Sequence, residues 1–197
     1  MIDSIKTIES LFPTIVYRSY DNNFPLLRDE IITDIYKIKE HDEGGVIKSN
    51  EGGWQSSSSL EQGVFKRHNQ YVCDRIHDTL PLEITDRYGI QSVWATVNAP
   101  GDFNWPHFHT EALLSGVMWV KISPTSGNIR FENPNEYIES PNILRTTEKT
   151  QIETKNILAM EYAPKEGEMM IFPAWLKHAV SVNRSTSDRI SLAFNLV

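Results

Sequence analysis

The second half of this chain is a series of short β-rich runs separated by turn signals, and this pattern constrains the fold more than any other feature. From about residue 90 onward, six runs are rich in β-branched and aromatic residues: IQSVWATVN, SGVMWVKIS, GNIRFEN, KNILAMEYA, EMMIFP and RISLAFNLV. Pro-Gly, Ser-Pro, Asn-Pro and Lys-Glu-Gly turns separate them. Short strands with this spacing predict an antiparallel sandwich or jelly roll.

The first half has a different pattern, which predicts one strand followed by helices. Residues 11–19, LFPTIVYRS, alternate as a strand does, and residues 61–80 have the periodicity of a helix. A further helix is predicted at residues 24–40, where apolar side chains recur at steps of three and four: Leu27, Ile31, Ile35 and Ile38.

Together these patterns predict one domain spanning residues 1–197, mainly β with some α structure. Residues 90–197 would form a double-stranded β-helix, or jelly roll. Residues 1–89 would supply an N-terminal strand and helices that pack on one of its sheets.

Composition narrows the class of function. The formal net charge is −7, so nucleic acid is not an expected partner. The chain holds one cysteine, Cys73, which excludes an internal disulfide and a thiolate metal cluster. No apolar run is long enough to span a membrane, and the first residues lack the pattern of a secretion signal. We therefore expect a cytoplasmic protein.

Three histidines in the β-rich half form a candidate metal site. His107 and His109 lie two residues apart in DFNWPHFHTE, and on a strand this spacing puts both imidazoles on one face. His178 follows another apolar run, in FPAWLKHAVSVN. Three imidazoles on one side of a first-row metal leave coordination positions open for substrate and oxygen. An H-x-H pair alone is a weak indication, because chance pairs of histidines are common.

The residues around these histidines resemble a known group of enzymes. PGDFNWPHFH, residues 100–109, resembles the metal strand of prolyl-hydroxylase-like 2-oxoglutarate oxygenases, in which a glycine lies six residues before the histidine of P-H-x-D. More narrowly, H-x-H, SGV, FPAWLKH and RISLAFN are similar to a small family of 2-oxoglutarate/iron(II) oxygenases with bacterial and phage members.

This resemblance implies both the chemistry and the residues that perform it. The protein would be an Fe(II)- and 2-oxoglutarate-dependent dioxygenase that uses molecular oxygen to hydroxylate a small molecule or a peptide. Iron would be bound by His107, His109 and His178. Arg189 lies eleven residues after His178 and forms an R-x-S motif with Ser191. In the superfamily, an arginine at about this distance, often in the same motif, pairs with the far carboxylate of 2-oxoglutarate. Asn98 would be a further cosubstrate contact. Whether the protein forms a homodimer stays open.

The physical chemistry of Arg189 agrees with that role. Its neighbours Ile190, Leu192 and Phe194 are apolar, and a charge among such residues is costly unless it is paired. A guanidinium also matches a carboxylate with two parallel hydrogen bonds, so a bound anion is a natural partner.

One position departs from the superfamily pattern and leaves alternatives open. The usual carboxylate ligand is replaced by His109, and Glu111 has the parity to supply a carboxylate instead. The register of Gly101 and Pro106 with the family's metal strand favours His109. Two other functions also stay open: a cupin-like metalloenzyme that does not use 2-oxoglutarate, and a metal-free jelly-roll binding domain.

Overall fold

The computed structural model describes residues 12–58, 66–135 and 157–197. Three helices lie among these residues: α1 (Pro25–His41), α2 (Lys66–Thr79) and α3 (Leu82–Thr85). The eleven strands are β1 (Tyr17–Tyr20), β2 (Asn50–Glu51), β3 (Trp54–Gln55), β4 (Ile90–Asn98), β5 (Phe103–His107), β6 (Leu114–Lys121), β7 (Ile129–Glu132), β8 (Ala159–Tyr162), β9 (Glu168–Pro173), β10 (His178–Val180) and β11 (Arg189–Leu196).

The strands form two antiparallel sheets that face each other. The major sheet has the order β1-β9-β6-β11-β4-β3, and the minor sheet has the order β2-β5-β10-β7-β8. This arrangement confirms the predicted mainly β fold, a double-stranded β-helix. Side chains from both sheets share one buried cluster: Val117, Trp119, Ile129, Phe131, Met170, Phe172 and Leu176.

The helices pack on the outer face of the major sheet, as predicted. Contacts join α1 to β6, and α2 to β1 and β9. Ile31 and Ile35 of α1 are fully buried against this sheet, in the periodic positions that indicated the helix. Strand β6 is therefore covered on both faces, which explains why it reads as a continuous apolar run and not as an alternating one.

The predicted element bounds differ from the observed ones by a few residues. The first helix begins at Pro25, because proline is tolerated where no backbone N–H is needed. The first strand covers residues 17–20 where 11–19 were predicted. Residue 11 of that prediction, residues 61–65 of the second helix and the first two residues of KNILAMEYA lie outside the described residues. No helix in the described part of the chain is long and apolar enough to cross a membrane.

Candidate active site

The structure brings His107, His109 and His178 together inside the mouth of the jelly roll. His107 ends β5 and is the register partner of His178 on the neighbouring β10. His109 follows the end of β5, and its backbone N–H donates to the carbonyl of Ala174 at 2.9 Å. One ligand nitrogen from each ring lies within 4.8 Å of the others, which is close enough to hold one metal ion.

Hydrogen bonds fix the tautomers of two of these histidines. Nδ1 of His107 is 2.7 Å from the carbonyl oxygen of Trp105, and Nδ1 of His178 is 2.8 Å from that of Leu176. A carbonyl can only accept, so Nδ1 must carry the proton in both rings. In a neutral ring this leaves a lone pair on Nε2 that can bind a metal, and such outer partners typically orient histidine ligands. At His107 the hydroxyl of Ser49 lies 3.4 Å from Nε2, so a bound metal would take the place of that contact.

Burial keeps the three rings neutral. Desolvation is the largest cause of a lowered pKa at all three, and it lowers the pKa of His109 to about 4 and that of His178 to about 3. The rings also disfavour each other's charge, because a proton on His107 would repel one on either neighbour. Metal binding near pH 7 therefore needs no deprotonation of these ligands.

A cavity of about 910 Å³ lies between the sheets and joins the histidines to Arg189. All three histidines line it, as do Asn98, Ser191 and Arg189. The position of these cosubstrate candidates follows from strand register, because Arg189 pairs with Asn98 and Ser191 pairs with Thr96 across β11 and β4.

Arg189 is a buried cation with unused hydrogen-bonding capacity. It is 1% exposed. Its Nη1 donates to the carbonyl oxygens of Ser126 and Ser181, whereas its Nη2 has no partner in the described part of the chain. Burial lowers the pKa of Arg189 to about 10, against an opposing effect of Asp102, so the guanidinium stays charged near pH 7. One nitrogen thus anchors the side chain, and the other is left for a bound anion.

Two further buried donors without partners line the same cavity. These are Nδ2 of Asn98 and the indole Nε1 of Trp119, unpaired among the described residues. Buried donors are nearly always paired, so unpaired ones around one cavity indicate a ligand rich in acceptors. The dianion 2-oxoglutarate fits this donor set, and a divalent metal fits the three neutral imidazoles.

Glu111 does not join the histidine cluster. The groups able to hold a metal among the described residues are the three histidines and a separate set on the helices, Glu30, Asp34 and His68. Glu111 is exposed at the rim of the cavity. In the helical set, Asp34 already accepts from Nε2 of His68 at 2.8 Å and from Nζ of Lys37 at 3.2 Å, as a structural ion pair does.

Several residues of the site were not singled out from the sequence. Trp94 lines the cavity, and its ring stacks on His109 with centroids 5.9 Å apart. Asn195 lines it too, and its alternation with Arg189 and Ser191 along β11 was a usable signal. Trp119 lies on a strand, where its hydrophobicity is typical of a core position; its ring is buried there, but its indole N–H has no acceptor among the described residues.

Comparisons with solved structures agree with this fold. The 2-oxoglutarate-dependent epimerase SnoN of nogalamycin biosynthesis has a TM-score of 0.64 and 10% identity, with 93% of this chain and 78% of that protein covered. HygX from Streptomyces hygroscopicus, with nickel, 2-oxoglutarate and hygromycin B bound, has a TM-score of 0.59 and 9% identity over 93% and 82%.

A third similar structure is the viral collagen prolyl hydroxylase of Paramecium bursaria Chlorella virus-1 in complex with 2-oxoglutarate. Its TM-score is 0.55 with 14% identity, and 91% of this chain and 95% of that protein are covered. An oxidoreductase of the 2OG-Fe(II) oxygenase family from Burkholderia pseudomallei is longer, and the chain spans 53% of it. The likenesses to SnoN, HygX and the viral hydroxylase show the fold alone.

The family is established by sequence. No curated protein matches the chain. The model of the family described as "Putative 2OG-Fe(II) oxygenase" matches residues 92–195, just over half of the 197 residues, and this span includes every candidate site residue. The chain therefore belongs to this family of 2OG-Fe(II) oxygenases.

Proposed function

We propose that the cavity between the two sheets is the active site of this oxidoreductase, with iron bound by His107, His109 and His178. As a family member, the protein uses Fe(II), 2-oxoglutarate and molecular oxygen to act on a small-molecule or peptide substrate. The observation that carries the site assignment is the presence, on one cavity, of three neutral imidazoles and a buried guanidinium whose Nη2 has no partner among the described residues.

In this proposal Arg189 binds the far carboxylate of 2-oxoglutarate. The guanidinium is held by backbone carbonyls on Nη1, so it loses little side-chain entropy when Nη2 binds the ligand. Ser191, which is 8% exposed, lies two residues after Arg189 on β11, and Asn98 is the register partner of Arg189 on β4. Both supply further polar contacts to the cosubstrate. The indole N–H of Trp119 is a fourth donor toward the same anion.

When bound, iron and 2-oxoglutarate would supply the oxidation together with molecular oxygen: one oxygen atom would enter succinate as carbon dioxide leaves, and the other would hydroxylate the substrate. The protein's own residues bind, orient and desolvate. The carbonyls of Trp105 and Leu176 hold the imidazoles in the metal-binding tautomer, and the apolar wall of Val117 and Phe172 limits water around them.

We place His109, and not Glu111, in the position that a carboxylate holds in the superfamily. His109 belongs to the cluster of ligand nitrogens, and Glu111 lies exposed at the rim. Neutral ligands leave the full charge of the metal to attract the dianionic cosubstrate.

The outer part of the cavity is the proposed route for substrate. Trp105 and Phe108 flank His107 there and are 55% and 56% exposed. Large exposed aromatic side chains beside an open cavity are typical of ligand contacts. Similar structures hold such different ligands as hygromycin B and a peptide of the hypoxia-inducible factor, so they do not select a substrate class for this chain.

An anaerobic titration distinguishes this function from its two alternatives. We expect the protein to bind one equivalent of Fe(II), and added 2-oxoglutarate to produce a metal-to-ligand absorption band. Iron binding without the band would favour the cupin-like enzyme, and no iron binding would favour a metal-free binding domain. Succinate formation with pooled metabolites and peptides would then identify the substrate.

The remaining proposals concern the protein as a whole. We propose that residues 1–197 act as one domain, with the helices supporting the major sheet behind the cavity. A cytoplasmic location and a homodimer are retained as predictions, as is the expectation that nucleic acid is not a partner. Cell fractionation would test the cytoplasmic location, and size-exclusion chromatography with light scattering would test the homodimer.

A further inference from the structure

The guanidinium of Arg189 rests against a back wall of main chain, formed by Ser126 and Gly127 between β6 and β7 and by Ser181 after β10. Nη1 of Arg189 donates to the carbonyl oxygens of Ser126 and Ser181. A Cβ on Gly127 would lie 2.6 Å from this Nη1, and closer still to the carbonyl oxygen of Ser181. The main chain can therefore approach the guanidinium this closely only because Gly127 has no side chain.

The back wall lies on the side of Arg189 that faces away from the cavity. Arg189 lines the cavity, whereas Ser126, Gly127 and Ser181 do not. Ser126 and Gly127 line a separate pocket of about 470 Å³. The guanidinium thus lies between the wall and the cavity, and a movement away from Gly127 would carry it toward the space where the cosubstrate is proposed to bind.

The wall itself is held in place by the backbone. Two hydrogen bonds join its loops, from the N–H of Ser181 to Asn128 and from that of Arg184 to Thr125, each 2.9 Å long. The end of the arginine side chain is free to move by comparison, so it would give way to a new Cβ. Moving Nη1 from 2.6 Å to an ordinary contact of ~3.5 Å is a displacement of about 1 Å.

We propose that Gly127 is a positioning residue that sets how far Arg189 reaches into the cavity, and thereby the length of the 2-oxo diacid that binds. The diacid is held between the metal and the guanidinium. A displacement of about 1 Å at one end approaches the length of a carbon–carbon bond, ~1.5 Å, and should favour a shorter diacid. The inference rests on the proposed function, because it takes Arg189 to bind the far carboxylate.

The test uses two diacids, 2-oxoglutarate and oxaloacetate, which has one methylene fewer. Each is titrated into anaerobic, iron-loaded wild type, Gly127→Ala and Gly101→Ala. A misplacement of 1 Å can cost up to about 100-fold, and we expect Gly127→Ala to bind 2-oxoglutarate about 10- to 100-fold more weakly. Oxaloacetate should lose less. The preference for 2-oxoglutarate should therefore fall about tenfold, within the ~10- to 200-fold that one methylene contributes.

Gly101→Ala is the matched control for backbone strain. Gly101 and Gly127 share a φ of +97°, which alanine adopts only with strain, but a Cβ on Gly101 meets nothing within 4 Å. Gly101→Ala should keep both diacid affinities, and both variants should keep the iron affinity of wild type. An equal loss for the two diacids in Gly127→Ala would indicate general damage and overturn the proposal, as would wild-type affinities for both.

A second variant tests whether Gly127 acts through the guanidinium. Arg189→Lys removes Nη1, so adding Gly127→Ala to Arg189→Lys should change the 2-oxoglutarate affinity little. This double variant also carries the test if Gly127→Ala alone does not fold. A further large loss in the double variant, or its failure to fold, would show that Gly127 serves the backbone and not the guanidinium.

Arg189→Ala distinguishes a failure of this inference from a failure of the proposed function. Weak 2-oxoglutarate binding in Arg189→Ala beside unchanged binding in Gly127→Ala removes only the role of Gly127. Normal binding in Arg189→Ala would instead remove Arg189 from the cosubstrate site, and the role of Gly127 with it.

Discussion

His107 and His178 lie directly opposite each other on the antiparallel strands β5 and β10, with ring centroids 4.3 Å apart. Such facing pairs have the shortest side-chain distances that a sheet offers. The register shifts between His178 and Val180, so the pairing at the histidines is followed at once by an irregularity. The candidate metal site is therefore built on the backbone register of the minor sheet.

This relationship predicts that both histidines are needed for iron. We expect His107→Ala and His178→Ala each to weaken Fe(II) binding by more than the roughly 10- to 100-fold that loss of an outer partner causes. Both variants should still unfold cooperatively, although His178→Ala also loses ring contacts with Phe131 and Phe172 of the buried cluster between the sheets. Anaerobic iron titration with thermal unfolding measures both properties. Near-full iron occupancy in either variant would show that the ligand set is wrong.

A second prediction compares His109 with Glu111. His109→Ala should lose iron as the other two variants do, because its ligand nitrogen belongs to the cluster. Glu111→Ala should retain iron, because that carboxylate is exposed at the rim. The same titration decides between them, and Glu111→Ala is the matched control. Reversed outcomes would restore the superfamily's carboxylate ligand at position 111.

Every residue predicted for the site lines the same cavity, because strand alternation puts every second side chain on its face. His107 and His109 share a face, and so do Arg189 and Ser191 of β11. This alternation of side chains applies only within a strand. Strand β5 ends at His107, so parity could not decide between His109 and Glu111. In the structure a ring nitrogen of His109 lies near those of His107 and His178, whereas Glu111 is exposed.

Other parts of the site depend on pairing between strands that are far apart in the sequence. The partner of a strand cannot be inferred from a single sequence. His178 meets His107 only because β10 lies beside β5, and Trp94 of β4 meets the ring of His109 only because the two sheets face each other. Trp119 shows a further limit. Its hydrophobicity predicts the core position that it occupies, but not that it lines the cavity with an indole N–H that has no acceptor in the described part of the chain.

The third prediction concerns stability and pH in the metal-free protein. Burial lowers the pKa of His109 to about 4 and of His178 to about 3, while the pKa of an unfolded histidine is about 6.5. Below that pH the unfolded chain binds protons that the folded chain does not, so the free energy of unfolding should fall as pH falls. Above it, these groups should contribute no pH dependence.

Urea denaturation at several pH values between 7.5 and 5 measures this effect. Each such group adds up to ~1.4 kcal/mol per pH unit to the slope of the free energy of unfolding against pH. His178→Ala should therefore show a shallower loss of stability with acid than wild type. Parallel curves would mean that His178 does not titrate as its burial predicts.

The fourth prediction tests the close packing at Gly116 of the SGV motif. A Cβ there would lie 2.2 Å from Cζ of Phe194 and 2.9 Å from the carbonyl oxygen of Met170. Phe194 is fully buried and cannot move aside. Gly116→Ala should destabilise the protein by about 1–3 kcal/mol, as overpacking does. Gly44 is the control, because a Cβ there meets nothing within 4 Å.

Urea denaturation of Gly116→Ala and Gly44→Ala beside wild type gives the comparison. Gly44→Ala should stay within about 0.5 kcal/mol of wild type, as exposed substitutions do. Equal stability of the two variants would show that the major sheet can spread at Gly116, contrary to the packing described.

The last prediction concerns Arg189 and the cosubstrate. Removing one partner of a buried charge pair costs about 2–5 kcal/mol, so Arg189→Ala should bind 2-oxoglutarate roughly 30- to 5,000-fold more weakly. Arg189→Lys should fall between, because it keeps the charge but loses the planar pair of donors. Arg184, exposed in the preceding loop, is the control, and Arg184→Ala should bind normally.

The measurement is a titration of 2-oxoglutarate into anaerobic, iron-loaded protein, followed by the metal-to-ligand band. Arg189 also donates to the carbonyls of Ser126 and Ser181, so its removal could disturb the cavity. Iron affinity without cosubstrate is therefore measured in parallel, and it should stay near wild type because Arg189 is not a ligand. Equal 2-oxoglutarate affinities in wild type and Arg189→Ala would remove Arg189 from the site, and the unpaired Nη2 would then need another anion.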